Sequence, residues 1–240
     1  MDRIVAVIPV RMASSRFPGK PLAPLHGLPM VEHVFRRAKL CPRLDEVYVA
    51  TCDQEIRDVA ESFGAPLIMT SATHERATDR VAEAIEHLAA DTIVMIQGDE
   101  PMITPEMIEA ALEPLRLTSC VNLVHRITSQ HEFMDPNTIK VVADLNGNAL
   151  YFSRAPIPHV NLENTTTKIF KQVCVIGFTR ECLQEFPRLA PTPLERAESI
   201  DMLRLLEHGR SVRVVETDVT THSVDTPEDL HLVEKMMSMR

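Results

Sequence analysis

Along the first half of the chain, short apolar runs alternate with stretches whose apolar residues recur at helical spacing. Residues 4–8 form a buried-strand pattern, followed by a helix over 30–40 with Val31, Val34, Phe35 and Ala38 on one face. A strand over 47–51, a helix over 54–63 and a strand over 66–69 follow. The pattern continues with a helix over 78–90, where Val81, Ile85 and Leu88 share a face, and a strand over 92–96. Thr104-Pro105-Glu106 then opens a helix over 104–115, with an N-cap residue and proline at the first helical position. Strands alternating with helices of this length predict βαβ units and a mostly parallel sheet.

The rhythm changes near residue 118. Strands are expected over 121–127, 139–143, 149–153 and 170–178, with Asn146-Gly147 marking a tight hairpin between the second and third. Helices are expected near 180–186 and 197–208, and a late strand over 212–216. Thr226-Pro227-Glu228-Asp229 carries the capping signal of a C-terminal helix. Residues 159–167 read as the loosest loop. No repeat, low-complexity tract or Gly/Ser-rich linker divides the chain. The expectation is one α/β domain, residues 1–240, with an antiparallel insertion over about 119–178.

Composition narrows the function. At 240 residues, 45% apolar and 25% charged, the chain has ordinary globular values. No apolar run approaches the roughly 20 residues that span a bilayer. Pro9, Arg11 and Arg16 interrupt the N-terminal apolar segment, which therefore reads as a strand in preference to a secretory signal. Five cysteines without a C-x-x-C pair argue against a disulfide framework or zinc site and for a reducing cytoplasm. Asn164-Thr165-Thr166 matches a glycosylation sequon by chance in such a setting. A formal charge of −9 disfavours nucleic acid or an anionic membrane as partner, so any anionic ligand needs a locally cationic place. The scattered histidines form no H-e-x-x-H pair, no G-x-S-x-G is present, and Met236, Met237 and Met239 read as packing residues.

In open α/β sheets, ligands bind beyond the carboxyl ends of the strands. Three segments fall there: the loop after residues 4–8, Gln97-Gly98-Asp99-Glu100-Pro101, and Val224-Asp225-Thr226-Pro227. The first gathers Arg11, Arg16 and Lys20 with hydroxyls from Ser14 and Ser15 and a turn at Gly19. It is either a polyphosphate cradle, though not a Walker A loop, or a solvated loop whose cations meet surface carboxylates. Asp99 and Asp225 are each either a turn residue or an Mg²⁺ ligand. Two carboxylates at the same sheet edge as a cationic loop favour a metal–phosphate site.

Five stretches, "IPVRMASSRFPGKPL", "ATDR", "QGDEP", "YFSRAPIP" and "SVDTPEDL", together resemble the CMP-Kdo synthetases, the 3-deoxy-manno-octulosonate cytidylyltransferases. They run in order from Ile8 to Leu230. The resemblance implies a nucleotide-diphospho-sugar-transferase-like, Rossmann-like mixed sheet flanked by helices, and a homodimer built partly through the insertion. It also implies Mg²⁺ dependence and conversion of CTP and Kdo to CMP-Kdo and pyrophosphate for lipopolysaccharide or another surface glycan. It places Arg11, Ser14, Arg16 and Lys20 on the triphosphate, Thr78, Arg80 and Gln97 near the nucleoside, and Asp99 and Asp225 on the metal. Lys20, Arg16 and Asp99 would carry the chemical step.

Three departures fall within this pattern. Ala77, preceded by Arg76, stands where the family has Gly, "QVCVI" (172–176) stands for "HLGIY", and "DMLR" (201–204) for "EQLR". The last two lie on the sugar side, so the acceptor pocket is expected to differ, with Gln172, Glu195 and Glu198 as its candidate contacts. A different acidic sugar or related acid is the near alternative, and a non-catalytic binding protein on the same scaffold the remote one.

Overall fold

The structure, a computed structural model, describes residues 2–14, 16–162 and 164–239. Ser15, one of the two hydroxyls singled out in the opening loop, lies outside the described residues. Along the chain come β1 (Ile4–Pro9), the short pair β2 (Pro24–Leu25) and β3 (Leu28–Pro29), α1 (Met30–Ala38), β4 (Glu46–Thr51) and α2 (Gln54–Ser62). β5 (Leu67–Met69), α3 (Ala77–Glu86), β6 (Thr92–Ile96) and α4 (Pro105–Leu112) complete the alternating half. Next are β7 (Cys120–Arg126), α5 (Gln130–Met134), β8 (Lys140–Ala143), β9 (Ala149–Ser153) and β10 (Phe170–Thr179). The chain closes with α6 (Arg180–Glu185), α7 (Pro193–Glu198), α8 (Met202–Glu207), β11 (Arg213–Glu216) and α9 (Pro227–Ser238).

The main sheet has the order β11-β7-β10-β6-β1-β4-β5. β1 runs parallel to β4 and β6, and β5 parallel to β4. β10 is antiparallel to both β6 and β7, so the sheet is mixed where the sequence rhythm changes. β8 and β9 form the hairpin expected at Asn146-Gly147, and β8 joins β10. β1 shows why its segment is apolar throughout. Val5 and Val7 pack with Val81 and Ile85 of α3 and Leu203 of α8, whereas Ala6 and Ile8 pack with Val31 and Val34 of α1 and Met107 of α4. A strand covered on both faces cannot alternate with polar residues.

Most expected elements form, with boundary changes that have local causes. The helix expected over 104–115 is α-helical only to Leu112, and residues Glu113–Arg116 tighten into a 3-10 turn. Pro114 lacks the N–H that would continue the α-helical ladder. The helix expected over 197–208 is two. A Thr192–Glu195 capping box starts α7 early, and Ser199, at φ 56°, turns the chain before α8. Left-handed geometry at a non-glycine residue ends a helix. The 3-10 turn Lys20–Leu22, the β2–β3 pair and α5 were not anticipated.

Candidate active site

The opening loop leaves the carboxyl end of β1, and backbone contacts fold it back over the sheet edge. Met12 N–H donates to Asp53 Oδ2 at 2.7 Å, anchoring the loop beside the start of α2. Gly19, at φ 74°, donates to Met12 O at 3.1 Å and closes the loop on itself, a conformation that a side chain would strain. The 3-10 turn then sends Lys20 under the loop. Its ammonium lies 2.7 Å from Asp99 Oδ2 and 3.2 Å from Asp225 Oδ1. Burial alone would lower the Lys20 pKa, but the two carboxylates outweigh it and raise it above its ordinary value.

Those carboxylates arrive from separate elements. Asp99 follows β6 after Gly98, where a Cβ would stand 2.1 Å from Val10 Cγ1, so only glycine lets the ends of β1 and β6 approach so closely. Asp225 precedes α9, and Val224 N–H donates to Asp99 O at 2.9 Å, tying the two loops together. Asp229 Oδ2 fixes the turn by accepting from the backbone N–H groups of Asp225 at 3.1 Å and Thr226 at 2.8 Å. Arg16 Nη2 donates to Asp225 Oδ1 at 2.9 Å. Glu100 points away into the protein, where it accepts from Thr221 Oγ1 and Cys174 N–H. Burial, and then the charge of Asp99, push its pKa up to about 7.

Between these loops opens a cleft of about 330 Å³, walled by the opening loop, residues 74–77 with Arg80, Gln97–Asp99, Ser199 and Asp225. Arg11, Ser14, Arg16, Lys20, Asp99 and Asp225 therefore come together as the sequence pattern suggested, joined by Arg80 and Gln97, which the family resemblance had added. Arg80 is braced from behind by Thr70, with Ser71 O and Cys52 Sγ alongside. Thr78 does not join them. It is fully buried, and its hydroxyl and backbone N–H both donate to Asp201 Oδ2, at 2.8 and 3.1 Å.

The three candidate sugar contacts are also turned elsewhere. Gln172 Nε2 donates to Asn122 Oδ1 at 2.6 Å, within the β10–β7 pairing. Glu195 is sealed from solvent and grips Arg204 through both oxygens, at 2.7 and 2.9 Å, while Arg204 also reaches Asp79. Burial would raise the Glu195 pKa, but the Arg204 hydrogen bonds outweigh it and hold the carboxyl below its ordinary value. Glu198 accepts from Ser153 Oγ at 2.6 Å and Arg154 N–H at 2.8 Å. On this side the cleft wall is instead Arg76 and Ser199, joined by a 2.6 Å bond from Arg76 Nη1 to Ser199 Oγ. Arg76 was visible in the sequence only as a bulky residue before Ala77, and Ser199 gave no signal because its place depends on the break between α7 and α8.

A cleft at the carboxyl ends of the parallel strands of a mixed sheet, with a cationic loop facing two carboxylates, defines a nucleotidyltransferase-type site. The chain belongs to the cytidylyltransferase family, whose model matches residues 5–215. It is 45% identical to the 3-deoxy-manno-octulosonate cytidylyltransferase of Geobacter metallireducens, over 98% of both chains. The protein of that name from Solibacter usitatus is 44% identical, covering 98% of this chain and 94% of that one. A solved structure of CMP:2-keto-3-deoxy-manno-octonic acid synthetase complexed with CTP is 39% identical and superposes over 99% of both chains with a TM-score of 0.90. The 4-diphosphocytidyl-2C-methyl-D-erythritol synthase of Anaerococcus prevotii, 14% identical with a TM-score of 0.66, shares the fold.

Proposed function

We propose that the protein transfers CMP from CTP to 3-deoxy-manno-octulosonate, releasing pyrophosphate. The observation that carries this reading is the Lys20 ammonium held between Asp99 and Asp225 beneath a cationic loop. An ammonium between two carboxylates marks a place where a cation is stabilised and where phosphate oxygens could share it. Arg11, Arg16 and Ser14 supply donors for a triphosphate on the same wall. Gln97, Ala77 and Arg80 bound the space left for the nucleoside.

The donor set suits Mg²⁺. Among the described residues no group of three His, Cys, Asp or Glu side chains is placed to hold a metal ion by itself. One or two carboxylates plus substrate phosphates are the usual Mg²⁺ environment, because this ion keeps much of its water. Asp99 and Asp225 would hold it, and when bound it supplies charge neutralisation and a lowered pKa for the attacking hydroxyl. The chain's own groups then align the triphosphate. Lys20 and Arg16 face the negative charge that grows as pyrophosphate leaves, and Asp229 fixes the backbone that presents Asp225.

This reading extends to a cytoplasmic enzyme of lipopolysaccharide or other surface-glycan synthesis, one domain per chain and a homodimer through the 119–178 insertion. No helix among the described residues is long and apolar enough to cross a membrane. Exposed Leu145 and Leu150 on the β8–β9 hairpin support an interface there. A different acidic acceptor is the second reading. It is favoured by Arg76 and Ser199 lining the cleft where Gln172, Glu195 and Glu198 do not. Incubation with CTP, Mg²⁺ and a panel of 2-keto-3-deoxy sugar acids, followed by pyrophosphate assay, tests both. Kdo is expected to give the highest kcat/KM. Turnover only with another acid would establish the second reading, and no pyrophosphate with any acid would overturn the enzymatic function.

A further inference from the structure

Arg16 makes its second contact with a residue 121 positions away. Its Nη1 donates to Asn137 Oδ1 at 2.5 Å while Nη2 holds Asp225. Asn137 belongs to the inserted segment, on the exposed turn between α5 and β8. We propose that Asn137 is a positioning residue for Arg16, holding its guanidinium between the inserted segment and the Asp225 loop, at the cleft wall where it meets the triphosphate. The inference rests on CTP being the ligand of the cleft.

The turn carrying Asn137 is braced to an unusual degree for an exposed loop. Lys140, with no solvent exposure, donates its three ammonium hydrogens to backbone carbonyls: Asp135 and Thr138 on either side of Asn137, at 2.8 and 2.6 Å, and Arg154 at 2.6 Å. Arg154 Nη1 takes a further carbonyl of the turn, Pro136 O, at 3.0 Å. Asp135 Oδ1 accepts from the Asn137 N–H at 2.8 Å. Arg154 is itself held through its backbone N–H and Nε by Glu198. Glu198 thus acts two steps behind the cleft, through Arg154 and this turn. Burial lowers the Lys140 pKa from its ordinary value, and the three carbonyls that accept from its amine fix the backbone on both sides of one exposed amide.

The chemistry of that amide is also specific. The Arg16 side chain is 42% exposed, and Asp225 is the acidic partner it pairs with. A neutral carbonyl directs the guanidinium without cancelling its charge, leaving it available to phosphate. A carboxylate in the same place would form a second ion pair and compete with phosphate for the fork.

CTP affinity of the full-length protein, measured by titration calorimetry, tests this without relying on turnover. Asn137→Ala is expected to weaken CTP binding about three- to tenfold, the scale of a lost hydrogen bond to a charged group in a partly exposed place. Asn137→Asp, though the same size with the same acceptor atom, is expected to weaken it more than Asn137→Ala does. In an Arg16→Ala background, Asn137→Ala should have no further effect beyond about twofold. A milder effect for Asp than for Ala, unchanged affinity in Asn137→Ala, or the same loss with Arg16 absent would each overturn the positioning role. Failure of the unaltered protein to bind CTP would overturn the proposed function, and this inference with it.

Discussion

Two charge clusters lie on either side of the segment leading into α3, built from similar residues and serving opposite ends. In the cleft, Lys20 and Arg16 meet Asp99 and Asp225, and all four side chains keep some exposure, from 14% for Lys20 to 42% for Arg16. Behind it, Arg204 meets Glu195 and Asp79, with Glu195 fully buried and the Arg204 guanidinium 4.1 Å from the Phe186 ring centre. The open cluster can exchange partners, because water or phosphate can replace any one contact. At Glu195 and Arg204, 0% and 4% exposed, a charge left unpaired has almost no solvent to turn to, although Asp79 at the edge of the cluster keeps 16%. Its Arg204 pKa is raised, because Glu195 and Asp79 outweigh a burial that would lower it. Burial, more than residue type, separates a carboxylate that can serve a ligand from one that serves as a strut.

The largest effect is expected in the sealed cluster. Glu195→Gln should cost about 3–5 kcal/mol of stability in chemical denaturation, because it leaves Arg204 partly unpaired in the interior. The pH dependence has a definite sign. The folded Glu195 pKa is depressed below the ordinary 4.5, so its contribution is full above that value and is lost as pH falls through the folded pKa. The variant should therefore lose stability less steeply than the parent in acid. Equal stability of the two proteins at pH 7 would break the distinction between the clusters.

In the open cluster, Asp99→Asn and Asp225→Asn should each lower kcat about 10²- to 10³-fold while leaving the melting temperature near that of the parent. Near-normal rates at saturating Mg²⁺ would remove both residues from the site. Lys20→Ala should slow the chemical step on the order of tenfold or more, since its ammonium acts on charge that grows in the transition state. A full-rate CTP titration would return Lys20 to a mere ion pair with its two carboxylates. The smallest effect is expected at Gln172. Gln172→Ala breaks the bond to Asn122 and should cost about 1 kcal/mol of stability with little change in kcat/KM for the acceptor. A marked rise in acceptor KM would put Gln172 back in the sugar pocket.

Local periodicity and position at a strand end made part of the molecule readable from its residues alone. The alternation of strands and helices, the hairpin at Asn146-Gly147 and the capped α9 were legible because each is set within a few residues. The opening loop, Asp99 and Asp225 were legible because a parallel sheet brings the carboxyl ends of its strands to one edge. Tertiary structure alone decided which polar side chains face the cleft. Thr78 sits beside Ala77 and Arg80 in one motif, yet turns inward to Asp201, while Arg76 and Ser199 reach the cleft wall. Glu195 is committed to Arg204 because α7 and α8 pack together, and Ser199 is exposed where they part. Asn137 meets Arg16 across 121 positions of sequence, from a turn that Lys140 and Arg154 brace. Periodicity assigns a residue to an element and a face, but the partner that satisfies a buried charge, and so the direction a polar side chain takes, comes from chain segments too distant in sequence for any local pattern to record.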